Sequence, residues 1–246
     1  MSEFGAEFIG TMVLVLLGDG VVANVCLKGT KGSNGGWIVI TMGWGLGVFT
    51  AVVISRDFSG AHLNPAVTLA LAAAQTFPWV KVPAFLGAQF LGGAAGALLV
   101  WLFYRDHYDV STDPGAILGT FATGPAIRRP VGNVLSEVIG TFVLVLAVLY
   151  TAGLKLTSTA GEIKVGMGSL GALPVALVVI GIGLSLGGTT GYAINPARDL
   201  GPRIVHSLVP IRNKGTSDWA YSWVPVVGPI LGALLAALVY SFGSPA

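Results

Sequence analysis

The sequence predicts an all-α membrane protein with six transmembrane helices and two re-entrant half-helices in an inverted repeat. Three observations carry that reading. Of the 246 residues, 54% are hydrophobic and 10% charged, with a mean hydropathy of +0.81, whereas charged residues approach a quarter of a soluble domain. The run Gly60-Ala-His-Leu-Asn64-Pro65-Ala66 returns as Gly191-Tyr-Ala-Ile-Asn195-Pro196-Ala197, with the two asparagines 131 positions apart. Finally, Glu7-Phe-Ile-Gly-Thr-Met-Val-Leu-Val-Leu is matched by Glu137-Val-Ile-Gly-Thr-Phe-Val-Leu-Val-Leu at an offset of 130. The chain is therefore one transmembrane domain of two repeats, about 1–110 and 131–246, joined by a polar loop at about 105–131.

A net charge of +2 is too small and scattered for nucleic-acid binding, and the single Cys26 excludes an intrachain disulfide. Residues 1–4 carry no basic region, and the apolar run behind them exceeds a signal core, so the first span is expected to be retained. No cluster of metal ligands, phosphate loop or nucleophile–base pair appears in the spans. Neither a metal, a cofactor nor an enzymatic reaction is expected.

The elements follow in order. Residues 5–27 form span one, interrupted by Glu7, Asp19 and Asn24; at about 1.5 Å per residue the run crosses a hydrocarbon core of about 30 Å. Span two covers 37–55, with Gly43 and Gly47 spaced for close helix contact. Asn64 is a good N-cap and Pro65 suits the first helical position, but the apolar helix stops near Ala74, before Phe77-Pro78. That is too short to span and predicts a half-helix. Span three runs 83–104, with Gly92 and Gly96 again permitting tight packing. Span four is expected over 132–153, a polar loop with Lys155, Glu162 and Lys164 follows, and span five covers 171–188. A second half-helix runs from Asn195 to about Leu208, and span six occupies 223–242. Three spans per half give the halves opposite orientations, a design that places binding sites at the membrane midplane.

Non-helical backbone at that depth must line a cavity or be buried in protein. The approaches Gly60–Leu63 and Gly187–Ile194 therefore offer carbonyl acceptors to a lumen. Each half-helix presents about half a positive charge at its N-terminus, which repels cations. With the side-chain oxygens of Asn64 and Asn195 capping their own helices, their amide NH2 groups are left to donate into the pore. Arg198, one turn into the second half-helix, is expected to face water, because lipid exposure costs about 2.5–3.5 kcal/mol. Trp37, Trp79, Trp101, Trp219 and Trp223 sit near segment ends, as an aromatic belt requires. Trp44 lies inside span two, where packing in the bundle and lining the lumen are both open.

On both Asn-Pro-Ala boxes, on Ser59-Gly-Ala-His-Leu-Asn-Pro-Ala-Val-Thr68, on Asn195-Pro-Ala-Arg-Asp-Leu-Gly-Pro-Arg203 and on the repeated Glu-x-x-Gly-Thr, the chain resembles the major intrinsic protein family across nearly its whole length. Asp199 with Arg203, Pro225-Val226 and Gly183 are similar to its glycerol-facilitator branch. Such pores select by width, lining groups and half-helix dipoles. The resemblance implies a selectivity filter of Trp44, Gly183, Tyr192 and Arg198, with Gly183 leaving room for a carbon chain and Tyr192 standing where phenylalanine is usual. It implies pore carbonyls at Gly60, Ala61, His62, Gly191, Tyr192 and Ala193, and support of the re-entrant loops by Glu7, Glu137 and Asp199. It also implies a homotetramer in the cell membrane, both termini in the cytoplasm, and small polyols, three-carbon carbonyl compounds, urea and water as solutes. Short termini suggest a bacterial source. The competing readings are a water-selective channel and a coupled transporter, which needs an ion-binding site at midplane. His107 and His206 read as solvated loop residues, and His62 as a packing or gating element.

Overall fold

The computed structural model describes residues 1–151, 154–158, 161–165 and 167–243. Its elements are α1 (Glu3–Cys26), α2 (Gly36–Ser59), α3 (Pro65–Ala73), α4 (Val82–Phe103), α5 (Arg105–Val110), α6 (Pro114–Gly119), α7 (Pro130–Tyr150), β1 (Leu154–Ser158), β2 (Gly161–Val165), α8 (Leu173–Leu186), α9 (Pro196–Leu208) and α10 (Val224–Gly243). Helices α1, α2, α4, α7, α8 and α10, with α4 and α8 counted together with their short 3-10 lead-ins Trp79–Lys81 and Gly168–Ala172, are long and apolar enough to cross a membrane. The two shorter helices α3 and α9 begin at the duplicated asparagines. Positions 152 and 153 of the expected fourth span lie outside the described residues.

The packing interlocks the halves. Helix α1 packs on α2 and α4, and α7 on α8 and α10, but α3 packs on α10 and α9 on α4. Each half-helix is thus held by a span of the other repeat. The glycines make these approaches possible: a Cβ at Gly92 would fall 2.4 Å from the Phe8 carbonyl oxygen, and one at Gly96 2.5 Å from that of Met12. The equivalent contact in the second repeat is Gly232 of α10, whose Cβ would lie 2.3 Å from the Val138 oxygen.

Two connections differ from expectation. The polar loop of 105–131 folds into α5 and α6, because Asp113 caps Gly115 N (2.8 Å) and Ala116 N (3.2 Å) and Pro114 occupies the first helical turn. Tyr108, Ile117 and Phe121 of this segment are fully buried, so it is a packed layer, not a linker. The loop expected around Lys155, Glu162 and Lys164 contains the antiparallel strand pair β1–β2, with Lys155 opposite Lys164. Its alternation Leu-Lys-Leu-Thr and Glu-Ile-Lys-Val is the period of a strand.

Candidate functional site

The site is built on two strained loops. Gly60, Ala61 and Leu63 have φ of 83°, 55° and 52°, and their counterparts Gly191, Tyr192 and Ile194 have 79°, 37° and 44°. Side chains with a Cβ resist this left-handed region, at about 1–3 kcal/mol each, so the surroundings must fix it. Two carboxylates do so. Glu7 Oε1 accepts from His62 N (2.9 Å) and Ser59 Oγ (2.6 Å), and Oε2 from Leu63 N (2.7 Å) and Gln89 Nε2 (2.7 Å). Glu137 Oε1 accepts from Ala193 N (3.0 Å) and Thr190 Oγ1 (2.7 Å), and Oε2 from Ile194 N (2.8 Å). Both carboxylates are buried, and Ser59, His62 and Leu63 correspond to Thr190, Ala193 and Ile194, while Gln89 is an additional donor to Glu7.

The N-termini of α3 and α9 meet at Asn64 and Asn195. Asn64 Oδ1 accepts from Ala66 N (2.9 Å); Asn195 Oδ1 accepts from Ala197 N (3.0 Å) and Arg198 N (3.2 Å). Their amides are not wholly free, contrary to expectation. Asn64 Nδ2 donates to the Ile194 carbonyl and Asn195 Nδ2 to the Leu63 carbonyl, each at 2.8 Å. This reciprocal pair ties the loops to each other and leaves one N–H of each amide for the lumen. Pro65, Ala66, Pro196 and Ala197 are buried behind the asparagines.

A cavity of about 370 Å³ passes this point. One wall is Trp44, Val48, Val52 and Arg56, every fourth residue of α2 and hence one stripe about 18 Å long. Leu144 and Val148 of α7 with Val175 and Val179 of α8 continue the apolar lining. The same cavity is lined by the loop residues Gly60, Ala61, His62, Leu63, Tyr192, Ala193 and Ile194, with Asn64, Asn195 and Arg198. The lining therefore combines apolar side chains with hydrogen-bonding groups along one cavity. The His62 ring is packed edge-on to Phe77 and tilted against Phe85, with Nδ1 3.1 Å from Thr68 Oγ1.

Of the four expected filter residues, Trp44, Tyr192 and Arg198 line the cavity and Gly183 does not. The room expected beside Gly183 is already filled: a Cβ there would lie 2.6 Å from Thr41 Cγ2 and 2.8 Å from Tyr192 Cζ. A Cβ at Gly187 would meet Tyr192 Cδ1 at 2.4 Å. The tyrosine ring thus lies on a ledge of two glycines one turn apart, and the bare backbone of α8 serves to seat it. Trp37, expected only as a belt residue, donates from Nε1 to the Gly183 carbonyl (2.9 Å) and meets Tyr192 edge-on. Gly191 stands off the cavity, its N–H on the Gly187 carbonyl at 2.9 Å.

Asp199 and Arg203 are both fully buried. Arg203 Nε and Nη2 donate to Asp199 at 2.8 and 3.0 Å, and its remaining N–H groups reach the carbonyls of Thr123, Ser217 and Asp218. Thr123 N and Oγ1 both donate to Asp199 Oδ2 at 2.7 Å. All five guanidinium donors are used, and the α6–α7 connection is fastened onto α9 beside Arg198. His206 is likewise buried, with Nδ1 2.8 Å from Ser217 Oγ, and is not a solvated loop residue. His107 lies in α5 and donates from Nδ1 to the Lys28 carbonyl (3.0 Å). Beyond α9, Lys214 Nζ donates to the carbonyls of His206, Ser207 and Val209 at 2.7–2.9 Å, closing the negative end of the helix. Desolvation lowers its pKa.

Sequence reasoning missed three contributors. Gln89 is an isolated amide in an apolar span, and it bridges Glu7 and Thr68 Oγ1 (2.9 Å). Thr123 gave no signal. Asp19 was visible as a carboxylate in span one, and its Oδ1 lies 3.8 Å from Arg198 Nη1.

The family model for major intrinsic proteins matches residues 1–240. The chain is 53% identical over 241 residues to the glycerol uptake facilitator protein of Streptococcus pneumoniae R6, covering 98% of this chain and 99% of that one. It is 55% identical over 235 residues to glycerol uptake facilitator protein 3 of Lactiplantibacillus plantarum, covering 96% and 94%. Among solved structures, the aquaglyceroporin from Plasmodium falciparum superposes with a TM-score of 0.81 at 34% identity, covering 97% of this chain and 94% of that one. With six membrane-crossing helices and a matched family model over nearly all its length, this multi-pass cell-membrane protein belongs to the major intrinsic protein family.

Proposed function

We propose that the protein is a passive channel for glycerol and similar small uncharged solutes, and for water, and that it excludes ions and protons. The observation that supports this most is the mixed lining: Val48, Val52, Leu144 and Val148 share one cavity with the re-entrant loop residues and the two asparagines. A linear polyol has a C–H edge and a hydroxyl edge, and each finds its complement. The relatives named as glycerol uptake facilitators point the same way. In this reading Trp44 and Tyr192 are the apolar side of the filter and Arg198 its donor, while Gly183 sets how far Tyr192 retreats. Gly60, Ala61, His62, Ala193 and the neighbouring loop carbonyls pass the hydroxyls along, the two halves lie inverted in the bilayer, and the working assembly is a homotetramer. The channel performs no catalysis.

Stopped-flow light scattering of proteoliposomes with water, glycerol, longer polyols, urea and dihydroxyacetone tests the reading. Glycerol influx well above that of empty liposomes is expected; water flux alone would favour the water-selective alternative. Gly183 sharpens that comparison. Because any side chain at 183 pushes Tyr192 towards the lumen, Gly183→His is expected to lower glycerol flux by at least about tenfold while water still passes. Gly183→Ala acts in the same sense more weakly. Unchanged glycerol flux in the histidine variant would remove Gly183 from the filter.

Asn64→Ala deletes a cap worth about 1 kcal/mol and the bond to Ile194, so slower glycerol flux in a correctly inserted protein is expected, and likewise for Asn195→Ala. Wild-type rates in both would show that the central donors do not act on the solute.

A further inference from the structure

Helix α1 carries a carboxylate, Asp19, that the channel reading leaves without a task. It follows Gly18, where a Cβ would lie 2.2 Å from Trp44 Cζ3, so the tryptophan ring rests directly on the α1 backbone. One residue on, Asp19 is fully buried. Neither of its oxygens has a hydrogen-bond partner among the described residues, and the same holds for Arg198 Nη1, 3.8 Å away. Arg198 Cζ meanwhile stands 4.1 Å from the centroid of the Trp44 ring. The guanidinium is thus held between an aromatic face and a carboxylate, both presented at the Gly18-Asp19 step. Other buried carboxylates are committed elsewhere: Glu7 and Glu137 to the loops, Asp199 to Arg203.

We propose that Asp19 is a positioning residue of the filter: it holds Arg198 against Trp44 and compensates its charge, so that the filter donates to neutral hydroxyls without retaining anions. This rests on the filter role proposed for Arg198. A carboxylate on a spanning helix is costly unless paired, and Arg198 is its partner within ion-pair reach among the described residues. At that separation in a poorly solvated wall the attraction is strong. Left alone, a guanidinium is a permanently charged planar fork suited to small oxyanions. With Asp19 beside it, the site seen from the lumen is a neutral donor. Cation exclusion then falls mainly on the helix N-termini at Asn64 and Asn195.

The test is glycerol influx into proteoliposomes at rising potassium nitrate, with potassium gluconate keeping ionic strength constant. Wild type and Asp19→Glu are expected to be insensitive to nitrate. In Asp19→Asn, nitrate should slow glycerol severalfold in a saturable way; insensitivity there overturns the proposal. A second comparison decides the matter even where Asp19→Asn fails to insert. Arg198→Val leaves Asp19 unpaired beside the pore, so its proton leak should fall severalfold in the Asp19→Val/Arg198→Val double variant, and equal leaks overturn the proposal. Failure of the underlying filter reading looks different: Arg198→Val would then keep wild-type discrimination among polyols.

Discussion

Glu137→Ala is expected to abolish solute flux and to produce the largest loss of stability of any single change in the channel. The substitution orphans the N–H groups of Ala193 and Ile194 at membrane depth, each at a cost of about 1–3 kcal/mol. Thr190 loses its acceptor as well. The left-handed residues Tyr192 and Ile194 are then no longer held, so the carbonyl of Ile194 leaves Asn64 and the filter ring of Tyr192 leaves its glycine ledge. Glu137→Gln keeps one acceptor oxygen and should retain part of both properties. Thermal melting in detergent and glycerol influx, measured on the same preparation, check this; an Ala variant melting and conducting like wild type would show that the loop holds its shape unaided. Glu7→Ala should be milder, because Ser59 Oγ also accepts from Ala61 N at 3.1 Å in that loop.

Arg198→Val should keep or raise polyol flux, weaken discrimination among solutes and admit protons. Arg198 is 6% exposed and borders the cavity beside Trp44 and Tyr192. Removing it widens the lumen beside Trp44 and Tyr192 and leaves Asp19 without its charge partner, since Arg56, the other arginine lining the cavity, stands about 18 Å further along α2. Acidification of vesicles loaded with a pH-sensitive dye, under an imposed pH gradient, reads the leak. A variant as proton-tight and selective as wild type would place Arg198 outside the conducting path.

Much of this organisation is legible in the residues because it is local or duplicated. The half-helix starts follow from Asn-Pro next to one another, and the structure begins α3 at Pro65 and α9 at Pro196. The repeated Glu7 and Glu137 reach equivalent loop N–H groups, as their symmetric placement suggests. What sequence could not supply is contact between distant segments. The cross-bonding of Asn64 to Ile194 and of Asn195 to Leu63 spans the two repeats. Gly183 looks like empty space in a sequence, whereas its emptiness is occupied by a tyrosine nine residues later. Thr123 and Arg203, 80 residues apart, meet only through the fold. Burial of His206 depends on α9 being covered by the segments carrying Phe121 and Ser217.

The central claim is passive conduction through a fixed lumen of mixed lining, and the dependence of glycerol influx on concentration and on a proton gradient tests it most directly. A channel predicts an initial rate in proteoliposomes that rises in proportion to the glycerol gradient and is indifferent to an imposed pH difference. Saturation at low glycerol together with acceleration by a proton gradient would contradict the account and identify a coupled carrier.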